Sequence, residues 1–148
     1  MIGMMERNCA ILIQEFLPEG SATVGFEVRA PYWIFEGLDI AGICADHGDC
    51  EHAFHIVGNA HHTVLLNNRL HEFNAPVKIN GIPDPGGGLR LPDDGRIEGN
   101  SLYNSGVRLT GNPVTLIDAI AVDRWTVTGN LIADFVKGGG DNISYGAF

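Results

Sequence analysis

Four polar residues occupy the same place in four short apolar segments and could form one row on a sheet. In segments 53–58, 76–81, 106–111 and 141–146 a polar residue stands between two apolar ones, and the four are His55, Lys78, Arg108 and Ser144. Parallel strands stack about 4.8 Å apart, so these side chains would stand side by side. Cations in a row on an acidic protein could hold a carboxylate-bearing sugar chain. The alternative is an ordinary solvated strand face.

A second group of reactive residue types lies in residues 44–52. Asp46, His47, Asp49 and His52 are the predicted metal ligands, and Cys44 and Cys50 lie in the same stretch. The mixture of sulfur, nitrogen and oxygen donors suits zinc, whereas the acidic residues suit calcium, which takes six to eight oxygens. The spacing matches neither Cys-x2-Cys nor His-Glu-x2-His. A turn closed by a Cys44–Cys50 disulfide is the alternative, and spacing alone does not decide between them.

Other conspicuous residues are predicted to be structural. His61-His62 and His71-Glu72 are adjacent pairs, and adjacent residues on a strand point in different directions. Segments 83–88 and 138–140 are rich in glycine and predict inserted loops without the features of a phosphate loop. Two tryptophans at equivalent repeat positions, Trp33 and Trp125, are predicted to pack in the core.

A repeat of about 30 residues must position these groups. Four segments align over eight positions without gaps, at spacings of 30, 32 and 30 residues: WIFEGLDI from Trp33, TVLLNNRL from Thr63, GRIEGNSL from Gly95 and WTVTGNLI from Trp125. The third and eighth positions are always apolar, the fifth is Gly or Asn, and the sixth is Asn in all but the first segment. This pattern predicts a strand, a tight corner and a second buried position. Asparagines stacked from coil to coil would form a ladder at the corner.

A second strand follows each corner, and together the strands indicate a solenoid. The second strands are predicted at 53–58, 76–81, 106–111 and 141–146, with a less regular strand at 115–122. A register-locked repeat with glycine or asparagine corners favours stacked parallel strands. An antiparallel sandwich or barrel would instead require two-residue hairpin loops and strands every 8–12 residues. The predicted fold is all-β, a right-handed parallel β-helix of about four to five coils.

The repeat resembles that of the pectate-lyase-like superfamily of right-handed parallel β-helices. The resemblance covers about residues 26–148. It is closest to bacterial β-helix repeat proteins of unassigned function, which are distantly similar to chondroitinase-B and alginate-lyase-type enzymes. The stretches CADHGDCEHAFHIVGNAHHTVLLNNRL, IDAIAVDRWTVTGNLIADF and NISYGAF carry it. Enzymes of this kind have more coils, so the resemblance implies an N-terminal portion that is truncated at its C-terminal end.

This resemblance also implies a reaction, the β-elimination of a uronate in an acidic polysaccharide. A base would remove the C5 proton while cations neutralise the carboxylate. Lys78 or Arg108 would be the base, His55 a binding group or proton donor, and Ser144 a further substrate contact. A non-catalytic scaffold or interaction fragment is the alternative, and a metal-binding module centred on residues 46–55 is a third interpretation.

Composition narrows the partners. The chain has 148 residues, 45% of them hydrophobic, and a formal net charge of −9. One domain with a sizeable core is expected at this length. The negative charge argues against nucleic acid and against anionic membrane surfaces, because both bind through Lys and Arg. The sequence contains no run of 18 apolar residues, so it does not predict a membrane-spanning helix.

The termini and the cysteines complete the expectations. Residues 1–25 depart from the repeat and are predicted to be a capping segment, with residues 26–148 forming the coils. Residues 1–16 have no features of a secretion signal, which favours a cytoplasmic location, although relatives of this fold are often secreted. Three cysteines, Cys9, Cys44 and Cys50, leave at least one thiol free or paired between chains. Open coil ends predict a homo-oligomer.

Overall fold

In the computed structural model, the backbone is described for residues 9–14, 23–138 and 144–147, and the side chains for residues 24–138. The described residues form strands and no helix. In chain order these are β1 (Cys9–Gln14), β2 (Thr23–Val28), β3 (Ile34–Glu36), β4 (Leu38–Ile43), β5 (Cys50–Val57), β6 (Val64–Leu66), β7 (Arg69–His71), β8 (Val77–Asn80), β9 (Ile82–Pro83), β10 (Leu89–Arg90), β11 (Arg96–Glu98), β12 (Ser101–Tyr103), β13 (Val114–Ile120), β14 (Thr126–Thr128), β15 (Leu131–Ala133) and β16 (Ser144–Ala147).

Three parallel sheets stack these strands into a β-solenoid of about four turns, which confirms the predicted parallel β-helix. Sheet A has the order β1-β4-β7-β12-β15, sheet B the order β2-β5-β8-β13-β16, and sheet C the order β3-β6-β11-β14. Each coil passes from sheet C through sheet A to sheet B. Strands β9 and β10 form a separate antiparallel hairpin after β8. No helix in the described part of the chain is long and apolar enough to cross a membrane.

The repeat register is confirmed on two sheets. The apolar third positions are paired in sheet C, and the apolar eighth positions are paired in sheet A: Phe35, Leu65, Ile97 and Val127, then Ile40, Leu70, Leu102 and Ile132. The middle coils bury these side chains completely, and Phe54, Ile56, Val77 and Ile79 of sheet B complete the core between them. Removal of this apolar surface from water is the main driving force for the fold.

The corner between sheets C and A also follows the sequence prediction. Gly37, Asn67, Gly99 and Gly129 have positive φ angles of 54–68°, a conformation that glycine and asparagine adopt most readily. The next residue in three coils is an asparagine of the predicted ladder, and these side chains bond along the solenoid axis. The Nδ2 of Asn68 donates to Oδ1 of Asn100 (2.9 Å), whose Nδ2 donates to Oδ1 of Asn130 (3.0 Å).

One predicted strand is wrong. Segment 106–111 does not join sheet B, because β13 pairs with β8 there, with Ile117 beside Val77 and Ala119 beside Ile79. Val107 and Leu109, predicted to point inward, are 48% and 66% exposed. The segment copies the apolar alternation and closing glycine of the true strands. The longer, more apolar run that follows it buries more surface in the same rung and occupies the sheet instead.

The first coil extends further toward the N-terminus than the repeat alone indicated. Strand β1 pairs in register with β4 along its whole length, and β2 pairs with β5 across an irregularity between Thr23 and Val24. Residues 1–8 and 15–22, which carry most of the predicted capping segment, lie outside the described residues. The capping role therefore stays a prediction.

Candidate functional site

Outward residues of sheet B form a row that differs from the predicted one. Pairing places Glu27 beside His55, His55 beside Lys78, and Lys78 beside Asp118. We call these four residues the sheet B row. Arg108 is not a member, because Asp118 of β13 takes the place next to Lys78. The row thus has an acidic residue at each end and one permanent cation, Lys78, in place of three basic residues side by side.

Ser144 is also absent from the row. In the register of β16 and β13 it lies beside Val114, four residues before Asp118 in β13. Its side chain lies outside the described residues, so its predicted contact with a substrate stays a prediction.

Lys78 and Asp118 form an ion pair between the Lys78 Nζ and the Asp118 Oδ2, and each side chain is 19% exposed. Partial burial on both sides makes this pair less screened by solvent than an exposed one. Like charges side by side on neighbouring strands would destabilise the sheet, and Asp118 removes that conflict. The ammonium group is therefore held at a fixed place on the sheet, within reach of solvent.

His55 is oriented by a short chain of hydrogen bonds. Nδ2 of Asn80 donates to the Gly81 carbonyl (3.1 Å), which turns Oδ1 of Asn80 toward the imidazole. The Nε2–H of His55 then donates to that Oδ1 (2.7 Å). In this arrangement the proton of the neutral ring is on Nε2, and Nδ1 is the nitrogen that can accept one.

A second imidazole lies beside this one. The rings of His52 and His55 have centroids 5.4 Å apart, and the Nδ1–H of His52 donates to the Ala75 carbonyl (2.8 Å). Burial lowers the pKa of His52 from its usual 6.5 and outweighs the opposing effects of the Ala75 carbonyl and Glu51, while the neighbouring Lys78 acts in the same direction as burial. His52 is accordingly neutral at pH 7.

Loops lie at both ends of the strands that carry the sheet B row. Residues 44–49 lead into β5 and residues 104–113 lead into β13. Since the strands are parallel, these loops meet at the amino ends of the strands. The β9–β10 hairpin follows the carboxyl end of β8, on the opposite side of the row. Its Ile82 packs on Gly58, where a Cβ would come within 2.8 Å of the isoleucine side chain. The row therefore lies between loops at the amino ends of its strands and a hairpin after the carboxyl end of β8, on a sheet face of the kind that solenoids use to bind extended ligands.

Arg108 connects loops 44–49 and 104–113 at the amino ends of the strands. It is only 3% exposed, and its Nε donates to Oδ1 of Asn74 (3.2 Å) while a terminal nitrogen donates to the His47 carbonyl (3.3 Å). Glu72 lies 3.9 Å from the guanidinium, and burial is the main cause that lowers the pKa of Arg108. The prediction that Arg108 stands beside Lys78 is wrong, because the group is turned inward to satisfy loop carbonyl and amide oxygens.

The cysteine loop is closed by a disulfide between Cys44 and Cys50, with Cα atoms 5.7 Å apart. His47 within it holds the neighbouring loop, since its Nδ1 accepts the Leu109 N–H (2.9 Å) and its carbonyl accepts from Asn74 (2.7 Å). The pKa of His47 is lowered by burial and, secondarily, by Arg108.

No metal centre is assembled by this loop in the described part of the chain. There, no three His, Cys, Asp or Glu side chains are placed so that they could hold one ion. The disulfide removes both thiolates, and His47 and His52 direct Nδ1 at backbone groups. The predicted set Asp46, His47, Asp49 and His52 is therefore not gathered, because the loop turns around backbone and loop–loop hydrogen bonds.

Sheet A carries a polar cluster of which the sequence analysis named only His71, as a structural residue. Asp39 accepts from Arg69 (2.9 Å) and lies 3.1 Å from Nε2 of His71, while Arg69 donates to the Tyr103 hydroxyl (2.7 Å). The Tyr103 ring stacks on His71 at a centroid distance of 5.1 Å. The signal was present in the repeat, because these residues precede or follow the buried eighth position in successive coils. Its polar groups bond to one another, which identifies the cluster as a brace across three strands.

No protein-family model, curated protein or solved structure matches this chain.

Proposed function

We propose that this protein binds an acidic polysaccharide along the sheet B row, and that any reaction it performs is a lyase-type β-elimination. The observation that carries the proposal is the placement of Lys78 and His55 side by side on adjacent strands, between two loop boundaries. Adjacent strands lie about 4.8 Å apart, so one sugar residue could contact both groups. The resemblance of the repeat to the pectate-lyase-like superfamily points to the same class of ligand.

Within this proposal each residue has a distinct role. The Lys78 ammonium binds the uronate carboxylate, in exchange for part of its contact with Asp118. Nδ1 of His55 accepts the C5 proton, and Asn80 keeps the other ring proton on Nε2. The C5–H electron pair becomes the C4–C5 double bond as the C4–O bond breaks, and the departing oxygen takes a proton from water. Arg108 acts as a positioning residue for the loops.

A non-catalytic binding or scaffold role is the second candidate, and a specific observation favours it. Arg108 is buried, and Lys78 is paired with an acidic residue, so the row offers less free positive charge than three basic residues would. Such a surface can bind an acidic polymer without neutralising the carboxylate enough for proton removal. This candidate predicts binding with no turnover.

Both candidates are tested by one panel of polymers. Alginate, pectate and chondroitin-type chains are assayed by calorimetry for binding and by ultraviolet absorbance for unsaturated uronate, with and without calcium. Lys78→Gln should weaken binding at least tenfold. Arg96→Gln removes an equal charge from an exposed side chain of sheet C and is the matched control. Asp118→Asn should strengthen binding, because it releases the Lys78 ammonium. Equal effects of Lys78→Gln and Arg96→Gln, or no binding to any polymer, would refute the proposal.

We also propose that the chain self-associates through its last described coil. Val127, Leu131 and Val136 are each about half exposed or more there, and the outer edges of β14 and β15 have no partner strand among the described residues. Unpaired edges with apolar side chains favour pairing with another chain. Light scattering should give a dimer that Val127→Asp converts to a monomer, and a monomeric wild type would contradict this.

A further inference from the structure

The two tryptophans hold equivalent positions in the repeat but have different surroundings. Trp125 lies against Gly95, where a Cβ would come within 2.4 Å of the ring, and its Nε1–H donates to the Pro92 carbonyl. Trp33 is 53% exposed. The prediction that both pack in the core is therefore correct for Trp125 and wrong for Trp33.

Trp33 forms one wall of a cavity of about 380 Å³. The other walls are Phe26, Phe35, Val28 and Ala30, and the rings of Trp33 and Phe35 stack with centroids 5.9 Å apart. Ligand pockets are typically apolar, with a few polar groups, and hold roughly 300–1,000 Å³. This cavity has the size and lining of a site for a single ring.

Two charged side chains stand at the edge of this cavity. Arg29 and Glu27 form an ion pair, with 62% and 46% of their side chains exposed. Exposed pairs contribute little to stability, so Arg29 can exchange Glu27 for the carboxylate of a ligand at small cost. Guanidinium groups bind carboxylates through two parallel hydrogen bonds, which fixes the orientation of the bound group.

We propose that this cavity, the Trp33 cleft, is a subsite for one uronate residue of the acidic polysaccharide, an inference that rests on the function proposed above. The C–H face of the sugar ring stacks on the Trp33 indole, and its carboxylate pairs with Arg29. Glu27 belongs both to the cleft and to the sheet B row, where it lies beside His55. The row and the cleft therefore adjoin at Glu27, while Phe26 and Val28 of the cleft lie on the core side of β2, so a polymer that occupies both would turn around the first described coil.

The protein contains two tryptophans, so each can be observed separately by nuclear magnetic resonance. Uniformly ¹⁵N-labelled protein gives two indole N–H signals, and Trp33→Phe assigns them by removing one. The probes are hexasaccharides of galacturonate, of guluronate and mannuronate, and of unsulfated chondroitin, with cellohexaose as the uncharged control. Calorimetry on the same samples measures affinity for wild type, Trp33→Ala, Arg29→Gln and the charge-matched Arg96→Gln.

The expected result is a saturable shift of the Trp33 signal, with that of Trp125 unchanged. Trp33→Ala should weaken binding by about tenfold and Trp33→Phe by less, since a phenyl ring still stacks. Arg29→Gln should weaken binding of the acidic hexasaccharide more than Arg96→Gln does. Binding that depends on Lys78 but leaves the Trp33 signal unmoved would overturn the subsite and keep the proposed function. Absence of binding by calorimetry would overturn the proposed function and the subsite together.

Discussion

Replacement of Asn100 by leucine tests the ladder that connects the coils. Asn100 is buried, and its Oδ1 accepts the backbone N–H of Asn68 (2.8 Å) as well as that residue's Nδ2 (2.9 Å). Its own Nδ2 lies within hydrogen-bond distance of the Leu65 and Glu98 carbonyls and of Oδ1 of Asn130. Leucine removes all of these contacts at one point in the middle of the solenoid.

The magnitude follows from the groups left behind. The buried Asn68 N–H loses its acceptor, which costs about 1–3 kcal/mol. Three further hydrogen bonds, the one accepted from Asn68 Nδ2 and the two that the two hydrogens of the Asn100 amide can donate, are each worth about 0.5–1.5 kcal/mol net. Burial of the leucine side chain returns about 1.5–3 kcal/mol. The expected net loss of unfolding free energy is about 2–4 kcal/mol. In a chain of this size each kcal/mol lowers the melting temperature by roughly 3 °C. Leu38 occupies the equivalent position in the first repeat segment, where it packs partly buried against the core, so the corner backbone itself accepts leucine.

Urea unfolding monitored by circular dichroism measures the free energy difference, and an unchanged m value would show that the same surface is exposed on unfolding. Asn67→Gly is the matched control, since the other coils have glycine there and the residue is exposed with φ of 54°. That variant should change stability by less than about 0.5 kcal/mol. Hydrogen exchange at the Asn68 amide should accelerate in Asn100→Leu alone. If Asn100→Leu were no less stable than Asn67→Gly, the reasoning about the ladder would be refuted.

Three further predictions concern the loop, a packing contact and pH. Replacing Cys44 and Cys50 by serine opens a seven-residue loop and should lower the unfolding free energy by about 2 kcal/mol, a difference that reducing agent should abolish. Gly95→Ala should destabilise by about 1–3 kcal/mol because the new methyl group meets a tryptophan ring, whereas Gly106→Ala, with no atom within 4 Å, should be neutral in the same melting assay. His52 has a folded-state pKa below its usual 6.5, so the unfolding free energy should be greatest above pH 6.5 and fall below it, because the unfolded chain takes up the proton first. Urea unfolding of His52→Gln over a range of pH should show a shallower fall. An unchanged pH profile in that variant would exclude His52 as the cause.

Local pattern was sufficient for the coils and insufficient for their third sheet. The apolar residues at the third and eighth positions of the repeat lie at constant spacing in all four segments, and the sixth position is asparagine in three of them. The same strand–corner–strand pattern is therefore specified four times along the chain. Segment 106–111 shows the limit. It has the alternation of a strand, but the choice between it and β13 depends on how much apolar surface each buries against β8, which no local spacing encodes.

The candidate site was predictable only in part, for the same reason. The pairing of His55 with Lys78 follows from two strands in the regular part of the repeat. The presence of Asp118 in place of Arg108 depends on which segment enters the sheet. The difference between Trp33 and Trp125 depends on the chain beside each ring: a glycine lies under one indole, and a cavity lies beside the other. Such contacts are properties of the assembled coils.

The asparagine ladder has a direction. Asn68 donates to the Oδ1 of Asn100, and Asn100 donates to the Oδ1 of Asn130, so the amide–amide bonds run one way along the solenoid and polarise one another. The Nδ2 group of each also donates back to a backbone carbonyl of the preceding coil. An added coil of about 30 residues would meet donors on one face and acceptors on the other, and would fit only in the orientation of its neighbours. The solenoid can therefore be lengthened or shortened by duplication or deletion of a whole coil with the ladder bonds between its asparagines kept, which makes the coil a unit of variation for both evolution and design.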